Sequence, residues 1–188
     1  QFALLYSRLP DLDARQHLLE NLLGEEMPQA PGKRHPDLLR KFARACGVSD
    51  ERILAAEETG EILPTTRAMR AWVWELVTVR ELAEACAGIM VALEGQLPTL
   101  YPKYVEQMRR MGFTDDDLEF FHVHIVGDVE HAHVGLELTH RYATTPTLQS
   151  RAMAAVGESA QIRYSMLDGI HASIARLTQK SLELSAER

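Results

Sequence analysis

Helix punctuation recurs along this chain at short intervals, and no stretch alternates apolar and polar residues in the β-branched runs that mark strands. The pattern predicts an all-α fold. Asp11 to Met27 reads as a first amphipathic helix, broken by the segment Pro28 to Gly32; Pro36 opens a second helix that Gly47 ends, and Ser49 caps a short third. Pro64 and Thr65 introduce an apolar-rich stretch from Thr66 to about Gly112, read as two helices broken or kinked near Gly95 and Pro98. Thr114, with Asp115, Asp116 and Asp117 behind it, caps a helix to about Tyr142. Thr145-Pro146 starts the last one, with a frayed end expected over Ser181 to Arg188.

The 188 residues, 46% of them apolar, fit one domain (1–188) with a core that needs no disulfide staple. Twenty Lys and Arg against 27 Asp and Glu leave a net charge of -7, which argues against a nucleic-acid surface. The longest apolar run, Ala85 to Leu93, is far short of the roughly 20 residues of a membrane span. Cys46 and Cys86 lie in helical, apolar surroundings and are read as two buried thiols in a reducing compartment. These features favour a cytoplasmic protein that handles a small molecule, with no nucleic-acid or membrane partner.

Five of the eight histidines fall between Thr114 and Tyr142. On a helical wheel with His124 at the origin, Asp128 stands at about 40° and His131 at about 340°, so three ligand-type side chains share one stripe. Leu118, Phe121, Ile125, Val129, Ala132 and Leu136 form a neighbouring stripe, read as the face packed on the core. His122 and His133 point the opposite way and are read as surface residues. A hydrogen-bonded network at a helix interface is one explanation of the His124, Asp128, His131 stripe. A second carboxylate favours another: Glu94, with Ala87, Met90, Val91, Leu97 and Pro98 around it, reads as buried. A buried carboxylate must be protonated, paired or bound to a cation, and two histidines with carboxylates from separate helices are a metal-ligand set. Glu25 and Glu26 close the first helix and His35 stands before Pro36, so both elements offer further ligands.

Taken together, Asn21-Leu-Leu-Gly-Glu25-Glu26, His35-Pro36-Asp-Leu-Leu-Arg-Lys-Phe42, Ala92-Leu-Glu94 and Phe120-Phe-His-Val-His124-Ile-Val-Gly-Asp128-Val-Glu-His131 resemble the heme-oxygenase-like diiron oxidases and oxygenases. These belong to a larger group with thiaminase II and pyrroloquinoline-quinone synthase. The resemblance implies a compact bundle of about seven helices around a central pocket, and relatives carry an additional N-terminal helix not located in this sequence. It further implies two iron ions, with Glu25 (or Glu26), His35 and His124 on one, Asp128 and His131 on the other, and Glu94 bridging; Glu94 and Asp128 would be central to catalysis. O2 would be the co-substrate, the substrate a small amine- or carboxylate-bearing metabolite, amino-acid-like or fatty-acid-like, with an external electron donor and a homodimer as further expectations. Thiaminase II relatives carry a nucleophilic cysteine where Thr99 follows Pro98, which disfavours thiaminase chemistry. In the last helix Tyr164, Asp168 and His171, spaced i, i+4, i+7, are read as lining the pocket opposite the metals. Two rivals stand beside this reading: a metal-free oxidase of the pyrroloquinoline-quinone-synthase type, and a non-catalytic helical interaction protein.

Overall fold

The computed structural model describes residues 1–27 and 29–186; Pro28 and the last two residues of the expected frayed end lie outside them. The described residues form helices and turns with no strand. In chain order they are α1 (Phe2–Arg8), α2 (Leu12–Glu26), α3 (His35–Ala45), α4 (Asp50–Thr59), α5 (Pro64–Thr78), α6 (Leu82–Cys86) running on as a π-helical segment (Ala87–Glu94), α7 (Leu97–Arg110), α8 (Glu119–Tyr142) and α9 (Pro146–Ala186). The last helix continues through Ala186, past the point where loss of periodicity suggested fraying.

The α6/π rod is the spine of the bundle. Ala83, Ala85, Cys86, Ala87, Ile89, Met90, Ala92 and Leu93 are all buried, with α5, α8 and α9 packed around them. Small residues allow this. A Cβ on Gly135 of α8 would lie 2.5 Å from the Cβ of Met90, and one on Gly88 would lie 2.7 Å from Leu76 Cδ1 and 3.0 Å from Ser159 Oγ. The α8 backbone therefore touches the rod where it carries no side chain. Burial is so complete at Cys86 that its thiol is pushed up to about 12. Cys46, expected to be buried, is instead exposed just beyond α3.

The 66–112 stretch is three helices rather than two, because α5 ends at Thr78 without glycine or proline. Arg8 of α1 explains the break. Its guanidinium donates to the Leu76 and Val77 carbonyls (3.2 and 3.0 Å) and to that of Arg80, satisfying the carbonyls that a helix end leaves unpaired. Glu81 and Glu84 then form a reciprocal capping box that restarts the chain as α6. The turn Thr114–Leu118 has the anticipated cap contacts, Thr114 Oγ1 accepting from Asp117 N at 3.2 Å and Asp117 Oδ2 from Thr114 N at 2.9 Å, yet regular helix begins only at Glu119. Ser49 caps α4 as expected, accepting from Arg52 N.

Glu84 ties the spine to its neighbours. Only 1% exposed, it accepts from Glu81 N and Arg80 Nη1 (3.1 Å each) and pairs with Arg151 of α9 at 2.5 Å. Burial alone would push its carboxyl up, but the Glu81 N–H and the two guanidinium groups outweigh that and hold it below its ordinary value of 4.5. The folded state thus binds this proton less tightly than the unfolded chain does. The stabilisation is present above the unfolded value and is lost as pH falls through the folded one. Replacing Glu84 by Gln is expected to cost about 1–3 kcal/mol at neutral pH, and denaturant midpoints of the two proteins should converge as pH falls through the lowered folded-state value of Glu84.

Candidate metal centre

The residues on α8 that turn inward are Phe121, His124, Asp128, Gly135 and Leu138, with His131 half-buried among them. The expected core face holds at Leu118 and Phe121, both buried, with Ile125 and Ala132 partly buried, and is corrected at Val129 and Leu136, which are 59% and 55% exposed, whereas Asp128 is 1% exposed. The ligand-type stripe is itself the packed face, and the apolar stripe beside it reaches solvent at Val129 and Leu136. His122 is half-buried at the surface beside Asp115 and His133 is exposed beside Glu137.

Asp128 and His131 meet Glu94 from the end of the π segment. His131 Nδ1 lies 3.0 Å from Asp128 Oδ1 and 3.8 Å from Glu94 Oε2, and the three side chains offer ligand atoms that all lie within 4.8 Å of one another. Glu94 Oε2 and Asp128 Oδ2 are buried without a hydrogen-bond partner. Burial pushes the Glu94 carboxyl well above the usual carboxylate range, and the nearby charges of Asp128 and Glu25 add to it.

The second group comes from α2, α3 and α8. Glu25, His35 and His124 likewise offer ligand atoms within 4.8 Å of one another. His35 Nδ1 is 2.9 Å from Glu25 Oε1, and the His35 and His124 rings lie 4.3 Å apart, centroid to centroid. Glu26 is exposed, outside this group. Burial opposes ionisation of Glu25, yet the hydrogen bond from His35 and the neighbouring histidines outweigh it and hold the carboxyl below its usual value. Position follows from local structure. Arg34 and Asp37 pair at 2.7 Å across the first turn of α3, while Lys33 and Lys41 reach Glu119 at 2.5 and 3.2 Å, docking α3 on the start of α8.

His124 is walled by aromatic rings: Phe120 at 4.3 Å and Tyr101 at 6.1 Å between centroids, with Phe42 packed behind on Phe121. This dry wall lowers the His124 pKa and favours neutral imidazole. Its Nδ1 lies 2.6 Å from the Phe120 carbonyl; a carbonyl only accepts, so Nδ1 carries the hydrogen and the Nε2 lone pair is free, the orientation in which histidine binds metals.

Tyr164, Asp168 and His171 do not join either group; all three are exposed on the outer side of α9. The α9 side chain that carries charge towards the site is Arg163, which donates to the Leu93 carbonyl at 2.8 Å. Burial lowers its pKa while the charges of Asp128 and Glu94 act in the opposite sense. Sequence reading missed it, although Arg163 sits one residue from the stripe chosen on that helix. Asn21, 2% exposed on α2, also entered only as part of a motif.

Among the described residues no helix is long and apolar enough to cross a membrane. The chain is 30% identical over 163 residues to a 4-aminobenzoate synthase of Nitrosomonas europaea, an alignment covering 86% of this chain and 63% of that protein. A Chlamydia pneumoniae 4-aminobenzoate synthase is 30% identical over 129 residues, 68% of this chain and 54% of the relative. A pyrroloquinoline-quinone synthase of Acidiphilium cryptum is 29% identical over 172 residues, 90% and 67% respectively. The chain thus spans about 63% and 54% of the two 4-aminobenzoate synthases. A profile of iron-containing redox enzymes matches residues 1–164, a span that includes every residue of both ligand groups, and the chain belongs to that family.

Proposed function

We propose that this chain is a non-heme diiron oxidoreductase that uses O2 to oxidise a small amine- or carboxylate-bearing metabolite. The observation that carries the reading is the pair of partnerless buried oxygens, Glu94 Oε2 and Asp128 Oδ2, set against His131 and next to a second group of one carboxylate and two histidines. A buried polar atom left unpaired costs about 1–3 kcal/mol, and two such atoms on adjacent carboxylates are a poor design for a hydrogen-bonded network. They suit a cation. A metal-free oxidase would have no use for them.

In this reading Glu25, His35 and His124 would hold one iron, Asp128 and His131 the other, with Glu94 available to both. Iron bound there would supply the redox chemistry with O2. The protein's own residues do the rest. His124 is kept neutral and correctly oriented by its aromatic wall and the Phe120 carbonyl, the carboxylates provide the negative charge that favours oxidised iron, and the Phe120, Phe121 and Tyr101 rings exclude water from one side. An external electron donor would restore the ferrous state. The relatives are named for what they make, 4-aminobenzoate and pyrroloquinoline quinone, and the first of these bears both an amine and a carboxylate, in keeping with a small amine- or carboxylate-bearing metabolite.

Metal that binds only the folded arrangement stabilises it by mass action, by about 2.7 kcal/mol at a hundredfold excess over Kd, which for a chain of this size is about 5–10 °C in Tm. Anaerobic Fe(II), or Mn(II) as a substitute, should raise Tm by that order in the wild type and by far less in His131→Ala. Equal shifts in the two proteins place the metal elsewhere. Glu94→Gln is close in shape and charge to the protonated side chain and should leave metal-free stability unchanged while weakening the metal response. Asp128→Ala should abolish the optical change on O2 addition to the Fe(II)-loaded protein and keep the helical circular dichroism of the metal-free form; an unfolded metal-free variant would show that Asp128 is a structural residue.

A further inference from the structure

Beside the Glu94, Asp128 and His131 group, a cavity of about 170 Å³ opens between α2 and α8 over Met90. Two helical stripes face each other across it: His17, Glu20 and Asn21 on α2, and Gly127, Glu130, His131 and Val134 on α8. Its size limits its occupant. At roughly 30 Å³ per water, the space corresponds to about five or six water molecules, well below the ~300 Å³ of small-molecule pockets. A partly hydrated divalent cation fits. The chemistry is graded from mouth to floor. Glu20 and Glu130 are exposed at the rim and His17 is half-buried; on the inner wall stands Asn21, 2% exposed, with no well-formed hydrogen bond at its amide nitrogen or carbonyl oxygen and with its side chain beside the Glu94 carboxyl. A buried amide without well-formed hydrogen bonds is costly, and its carbonyl oxygen is a ligand type for hard cations. His131 belongs both to this cavity and to the inner group with Glu94 and Asp128.

We infer that this cleft is the loading route by which a divalent cation reaches the Glu94, Asp128 and His131 group, with Glu20, Glu130 and His17 capturing the ion at the surface and Asn21 passing it inward. The inference rests on the metal reading of that inner group. Carboxylates at a cleft mouth raise the local cation concentration and the association rate, an effect that salt suppresses. They need not change the affinity of the inner site.

Co(II) is a suitable probe, because its visible absorption changes when histidine and carboxylate ligands replace water. Rapid mixing of metal-free protein with Co(II) at low ionic strength should give an association rate about tenfold lower in Glu20→Gln/Glu130→Gln than in the wild type, with the same final spectrum and stoichiometry. Added salt should bring the wild-type rate down towards that of the variant. Asn21→Leu, which keeps the branched shape of the side chain and removes its polar atoms, should also slow uptake without altering the final spectrum. Equal rates in wild type and double variant overturn the route. So does a changed final spectrum or stoichiometry in the double variant, which would make the rim residues ligands of the final site. If the wild type itself develops no Co(II) spectrum, the metal centre fails, an outcome distinct from either of these.

Discussion

A carboxylate enclosed by packed helices is expensive, and the position of Glu94 sets the terms for everything around it. Its helix is buried on all sides and its carboxyl shares its surroundings with Asp128 and Glu25. Such crowding is tolerable in three ways: a proton, a fixed cation nearby or a bound metal. The bundle uses the first two without metal, through a raised Glu94 pKa and the inward guanidinium of Arg163. Its partnerless oxygens leave the third way available.

The π segment links this electrostatics to the backbone. Over Ala87–Glu94 the hydrogen bonds span five residues, Gly95 N–H reaching Met90 O at 3.1 Å, a geometry frequent at functional sites. The wider turn loosens the ladder at its C-terminal end, and side chains take up its carbonyls. Gln96 Nε2 donates to Ala92 O at 2.5 Å, and Arg163 to Leu93 O at 2.8 Å. Gly135 lets α8 approach closely at Met90, and Asp128 and His131 of α8 come together with Glu94. A tight helix crossing and a wide helical turn together bring carboxylates from two elements into one space.

Much of this arrangement could be read from the sequence, since ligand-type residues at i, i+4 and i+7 lie on one side of any helix and Pro36, Gly47, Ser49 and Pro146 mark helix ends by local chemistry. What escaped depends on contacts between distant segments. The end of α5 is set by Arg8, about seventy residues away in sequence, and the π geometry leaves no trace in a periodicity built on 3.6 residues. Val129 and Leu136 misled because the wheel rewards apolar residues, whereas the inward face of α8 carries His124 and Asp128. On α9 the same logic favoured Tyr164, Asp168 and His171, which share a face that the bundle leaves exposed.

Arg163 shows how a metal site can be kept stable without being blocked. A direct ion pair with Glu94 or Asp128 would neutralise a carboxylate most effectively, and it would also occupy the oxygen lone pairs that a metal needs. Instead the guanidinium is fixed to the Leu93 carbonyl, while the only ionisable partner within ion-pair distance of Glu94 or Asp128, among the described residues, is His131. Its charge acts on both carboxylates through a poorly screened interior. Because it is tethered to backbone at the foot of the Glu94 helix, it would have no bond to a carboxylate to give up if a cation bound there. Tempering the charge from a distance costs some stability in the metal-free state, and in return both orphaned oxygens remain free to coordinate.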